Sequence, residues 1–136
     1  MMTNTKSPPQ FTTATAVVRY LVTDVERAVG FYTGQLGFEV AARPGPALAI
    51  VARGELRLLL GGPESSGARP MPDGRRQSPG GWNRIVLYVD DLAGIVKRLR
   101  ANRVTFRNEV ESGPGGTQIQ IEDPDGNPIE LHQPPT

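Results

Sequence analysis

YLVTDVERAVGFYTGQLGFEV, residues 20–40, holds the end of one strand, a whole helix and the start of another strand with no linker between them. Upstream the segment extends to AVVRYLV (16–22), dense in β-branched and aromatic residues that suit a pleated surface. Thr23-Asp24 then supplies a helix N-cap, with Glu26 in the first turn where an acid meets the positive end of the helix. Val25, Ala28, Val29, Tyr32 and Leu36 recur at three- and four-residue spacing, which predicts one apolar face. Gly37 closes the helix at a position that favours a left-handed backbone. Phe38-Glu39-Val40 begins the next strand. Beyond a Pro-Gly-Pro turn at 44–46, LAIVAR (48–53) and ELRLLL (55–60) read as a hairpin around Gly54. The first half is therefore strand, helix and three strands.

The second half repeats this order. NRIVLYVDDL (83–92) runs from a strand into an Asp91 cap, and Leu92, Ile95, Val96 and Leu99 give the next helix its stripe. Val104-Thr105-Phe106 opens another strand, and TQIQIED (117–123) and NPIELHQ (127–133) form a last hairpin around the Asp123-Pro-Asp-Gly-Asn turn. An offset of 67 residues puts Val22-Thr23-Asp24-Val25 on Val89-Asp90-Asp91-Leu92, and one of 71 puts Leu58-Leu59-Leu60 on Ile129-Glu130-Leu131. The expected organisation is a flexible tail (1–13) and one domain (14–133), with module one at 14–62, a connecting loop at 63–81 and module two at 82–133. The stretch 61–82, rich in Gly, Pro and Arg, is either a solvated linker or a lid over a pocket.

Composition narrows the partners. The chain has 136 residues, enough for one core, and 15 Lys and Arg against 14 Asp and Glu leave a net charge of +1. No long basic run tracks phosphates, so no nucleic acid is expected. With no cysteine, disulfides, thiolate metal sites and a cysteine nucleophile are excluded. Residues 1–10 lack an apolar signal core and no run of eighteen apolar residues occurs, so a cytoplasmic protein without membrane contact is expected.

Strand alternation sorts the side chains. Val18, Tyr20, Val22, Leu56, Leu58 and Leu60 face the helices in the first half, as do Ile85, Leu87, Val89, Ile119, Ile121, Ile129 and Leu131 in the second. The opposite face carries Val17, Arg19, Leu21, Arg57 and Leu59, then Arg84, Val86, Tyr88, Gln118, Gln120, Glu122, Glu130 and His132. A single sheet would expose such a mixed face to solvent. Duplicated sheets can turn it inward around a pocket.

YLVTDVERAVGFYTGQLGFEV and EDPDGNPIEL (122–131) resemble the vicinal oxygen chelate superfamily, which includes glyoxalase I, bleomycin- and fosfomycin-resistance proteins and extradiol dioxygenases. The resemblance covers about residues 14–133. It implies an α+β fold in which two βαβββ modules form an open barrel-like cleft, usually in a homodimer, with a divalent metal held by one residue from each of four strands. Those four positions fall here on Val17, Leu59, Arg84 and Glu130. Only Glu130 keeps a ligand identity, and Arg84 is a permanent cation. His132 and Glu122 share the face and are the side chains available for recruitment.

The repeat makes Val17 equivalent to Arg84 and Leu59 equivalent to Glu130, so Arg84 and Glu130 are predicted to approach each other where the metal would sit. Such a pair is either a structural bridge or part of a ligand site. The expected function is metal-independent binding of a small anionic organic molecule between Arg84 and Glu130, with no cofactor. Arg19 and Arg57 would favour the anion, Trp82, Tyr88 and Leu59 an apolar body, and Gln118, Gln120 and His132 complete the lining. A metal-free lyase or isomerase would use Glu130 as base, Arg84 to steady an oxyanion and Tyr88 or His132 as acid. A metal-dependent glyoxalase- or dioxygenase-like enzyme is the third reading.

Overall fold

The structure, a computed structural model, describes Ser7, Pro9 and residues 16–136, so the tail expected at 1–13 lies almost wholly outside the described residues. The chain runs β1 (Val18–Leu21), α1 (Val25–Leu36), β2 (Glu39–Gly45), β3 (Leu48–Arg53) and β4 (Leu56–Gly61), then a 3₁₀ turn at Ser66–Ala68. It continues as β5 (Ile85–Tyr88), α2 (Leu92–Ala101), β6 (Thr105–Phe106), β7 (Glu111–Gly113), β8 (Gly116–Glu122) and β9 (Pro128–Gln133). One sheet has the order β1-β4-β3-β2 and the other β5-β9-β8-β6, with β7 also on β8. In both, the first strand lies parallel to the last, β1 on β4 and β5 on β9, so each half is the same βαβββ unit. The two mixed sheets remain open, as expected for the α+β cleft. Among the described residues no helix is long and apolar enough to cross a membrane.

The helix signals act as read. The Asp24 carboxylate accepts from the Arg27 N–H at 3.0 Å, and Gly37 takes φ 73° at the other end of α1. Asp91 caps α2 by accepting from the Gly94 N–H at 3.0 Å. Val25, Ala28, Tyr32 and Leu36 are buried on α1, and Leu92, Val96 and Leu99 on α2. They meet the inward strand positions, where Leu58, Leu60, Ile119, Ile121 and Ile129 are fully buried. The period-two assignment of faces therefore holds for the buried centre of both sheets, whereas Val18 and Leu56, at the strand starts, are only partly buried.

One strand has no counterpart in the sequence reading. β7 is Glu-Ser-Gly, three residues of low strand propensity, and it forms because the Pro114-Gly115-Gly116 turn folds it onto β8. Gly116 sits at φ 116°, and a Cβ there would lie 2.2 Å from the Gln133 carbonyl oxygen. Only glycine allows the strand to start so close to the chain end.

The halves pair within the chain along β1 and β5. The Tyr20 hydroxyl donates to the Pro128 carbonyl at 2.7 Å and accepts from the Ile85 N–H at 2.9 Å. The 123–127 turn adds a clasp. Asp123, 3% exposed, accepts from the Tyr32 hydroxyl, the Asn127 side-chain amide and the backbone N–H groups of Asp125 and Asn127. Asn127 also donates to the Leu21 carbonyl at 2.8 Å, and Asp125 accepts from Thr23 and Arg27 at the start of α1. Residues from one turn of module two thus hold β1, the start of α1 and Tyr32 in its second half.

Candidate functional site

The seam between β1 and β5 positions a cavity. Its volume is about 600 Å³, and its walls include Arg19 and Leu21 from β1, Leu56 from β4, Arg84 just before β5, and Val86. Ser78, Gly80 and Asn83 close one side, so the connecting stretch forms a wall of the cavity. That wall is tethered: the Gly80 N–H donates to the Asn127 side-chain oxygen at 2.8 Å, and Gln77 donates to the Arg69 carbonyl. Among the described residues the lining contains two guanidinium groups and no carboxylate.

The two guanidiniums differ. Arg84 donates from Nε at 3.0 Å and from Nη2 at 2.9 Å to the same oxygen of Glu130, which is 6% exposed. Arg84 and Glu130 therefore meet as the repeat predicts, and the contact leaves no room for a ligand between them. The other Glu130 oxygen takes His132 Nδ1 at 3.1 Å. Both carboxylate oxygens are engaged by the protein, so neither is aimed at a proton in the cavity, as a general base must be. Arg19, by contrast, has no carboxylate partner among the described residues. Its side chain packs on Gly67 of the 3₁₀ turn, where an added Cβ would sit 2.2 Å from the guanidinium.

His132 lies between two acceptors. Nδ1 faces Glu130 and Nε2 faces the Gly115 carbonyl at 2.8 Å, so satisfying both requires a proton on each ring nitrogen. The Gly115 carbonyl and then the Glu130 carboxylate raise its pKa above the ordinary 6.5. A raised folded-state value means that the group's stabilising contribution is complete below pH 6.5 and is lost as pH rises through the folded pKa. His132 is the single histidine of the chain, so a proton NMR titration of untagged protein reads it without assignment. The expected midpoint lies above 6.5 and falls, without returning fully, in Glu130→Gln. An unchanged midpoint in that variant would remove the contact from solution.

The other expected site residues are spread out. Leu59 stands beside Arg19 on the cleft face, Gln120 and Val86 flank Glu130, and Gln118 and Tyr88 flank His132. The Gln120 side-chain oxygen is buried without a partner. Arg57 turns away, donating to Gly54 and Leu56 carbonyls at the hairpin. Trp82 is 72% exposed and is covered by Arg107, whose guanidinium carbon lies 4.7 Å from the ring centroid. Arg107 in turn pairs with Glu122 at 2.8 Å, which takes that carboxylate out of any ligand set.

The four positions that the resemblance assigns to a metal carry an exposed valine, a leucine, a guanidinium and one carboxylate already held by Arg84 and His132. Divalent ions want three or more donor side chains, so these residues do not fit that centre. Among the described residues no three His, Cys, Asp or Glu side chains are grouped to hold a metal ion.

Residues 14–131 match the Glyoxalase/Bleomycin resistance protein/Dioxygenase superfamily. The uncharacterized protein YetH of Bacillus subtilis is 31% identical over 116 residues, 81% of this chain and 89% of that protein. Among solved structures, lactoylglutathione lyase from Agrobacterium tumefaciens is 25% identical with a TM-score of 0.69, covering 93% of this chain and 95% of its own. TnmS3, an antibiotic binding protein from a Streptomyces species, is 28% identical with a TM-score of 0.66, covering 92% and 100%.

Proposed function

Because the chain belongs to the Glyoxalase/Bleomycin resistance protein/Dioxygenase superfamily, we propose that it is a small-molecule-binding member that holds an anionic organic ligand in the cavity between its halves, without a catalytic metal. The observation that carries this reading is the Arg19 guanidinium, which among the described residues has no carboxylate partner, in a cavity of about 600 Å³ whose described lining holds no carboxylate. Arg84 is already neutralised by Glu130, so among the described residues Arg19 supplies the positive charge open to a ligand, and Val18, Leu21, Leu56 and Val86 receive an apolar body. The likeness to an antibiotic binding protein supports binding as the activity. The expected setting is a cytoplasmic homodimer. Val17, Val86 and Tyr88, exposed on the cleft face, are consistent with a second copy narrowing the cleft.

The test uses 1-naphthoate, an aromatic monocarboxylate, in calorimetric titrations. Wild type is expected to bind it and return it unchanged, and Arg19→Gln to bind about tenfold or more weakly, the loss typical of one charge-assisted contact. Arg57→Gln should bind as wild type does. Equal affinity in wild type and Arg19→Gln would overturn the proposal.

A further inference from the structure

A second cavity, of about 300 Å³, opens on the opposite side of the sheets where the end of α1 meets α2. Its floor is core: Leu87, Leu99 and Leu131 from module two. Its rim carries Arg53, at the end of β3, and Arg98, on α2. Among the described residues no carboxylate lines it.

Among the described residues no carboxylate balances the charges at this rim. Arg27, Arg43, Arg75, Arg84, Arg100 and Arg107 each pair with an Asp or Glu, whereas Arg53 and Arg98 pair with none among the described residues. Arg53 donates through Nε to the Leu36 carbonyl at 3.2 Å, and Arg98 through Nη2 to the Gly34 carbonyl at 3.4 Å. These two contacts tether both guanidiniums to the last turn of α1, while their remaining N–H groups stay available. Two fixed cations over a leucine floor suit a ligand with an anionic head and a short apolar tail.

We propose that this rear cavity is a second binding site, distinct from the cavity at the β1–β5 seam, for a short-chain aliphatic carboxylate whose head lies between Arg53 and Arg98 and whose tail rests on Leu87, Leu99 and Leu131. Gly34 offers a way to block it. Gly34 lines the cavity and a Cβ there meets nothing within 4 Å, so the side chain of Gly34→Leu starts from open space, and a helix tolerates leucine better than glycine.

Octanoate and 1-octanol are the probes, titrated calorimetrically into wild type, Arg53→Gln/Arg98→Gln, Gly34→Leu and Arg19→Gln. Wild type and Arg19→Gln are expected to bind octanoate equally. The double arginine variant should bind about tenfold or more weakly, as loss of charge-assisted contacts predicts. Gly34→Leu should not bind octanoate, and wild type should bind octanol more weakly than octanoate. Absence of octanoate binding to wild type overturns the proposal. So does binding that survives both rear-cavity changes, binding lost in Arg19→Gln, which places the ligand in the front cavity, or equal affinity for the alcohol.

Discussion

Asp123→Ala is expected to lower the stability of the fold by about 3–5 kcal/mol, because four donors lose their acceptor together and each unsatisfied buried group costs roughly 1–3 kcal/mol before water relieves part of it. The donors are the Tyr32 hydroxyl, the Asn127 side chain and two backbone N–H groups. The loss reaches beyond the turn, since Asn127 also holds the Leu21 carbonyl and the Gly80 N–H. Urea unfolding measures it, and Tyr32→Phe, which removes one donor, should cost only about 1 kcal/mol. Burial raises the Asp123 pKa above 3.8 despite hydrogen bonds from Asn127, Tyr32 and Asp125 that lower it. For a raised folded-state value, the group's contribution is greatest below the unfolded pKa and declines as pH rises through the folded one. The gap between wild type and Asp123→Ala should therefore be wider near pH 3 than at pH 7. A gap under 1 kcal/mol at both pH values would show that the clasp does not hold the halves together.

The contrast between Arg19 and Arg57 shows where sequence reasoning stops. Alternation places both on the cleft face, and nothing in their neighbours' identities separates them. Each is the second residue of its strand, and what precedes the strand separates them: β4 follows directly on the Gly54 hairpin, whose carbonyl takes the Arg57 side chain, whereas Arg19 stands beside Leu59 with no such turn to bond among the described residues. The helices, their caps and the apolar faces were legible because each depends on spacing within a dozen residues. The Arg84–Glu130 contact was legible because the repeat maps one half on the other. β7 was not, since its residues carry no strand signal and pairing with β8 decides their conformation. Ser78, Gly80 and Asn83 were missed as lining residues for a similar reason. They reach the cavity through the bond from Gly80 to Asn127, 47 residues away, and the Gly-rich composition of the loop reports only that it can bend.

The same internal symmetry yields the second large expectation, which concerns what Arg84 and Glu130 do. Glu130→Leu should cost about 2–3 kcal/mol, less than a fully buried pair because Arg84 keeps 29% of its side chain exposed. It strands the Arg84 guanidinium and removes the acceptor of His132 Nδ1. Arg84→Val alone should cost about 1–2 kcal/mol, leaving the carboxylate to His132. The double variant Arg84→Val/Glu130→Leu gives module two the apolar residues, valine and leucine, that Val17 and Leu59 supply at the equivalent positions of module one. With neither charge left unpaired, it should recover to within about 1 kcal/mol of wild type. The cycle separates two roles on one set of proteins. If the pair only bridges strands, the double variant regains stability and binds 1-naphthoate as wild type does. If the pair also orients Arg84 along the cavity wall, stability returns while affinity falls, and the polar half of the cleft has been kept for its ligand.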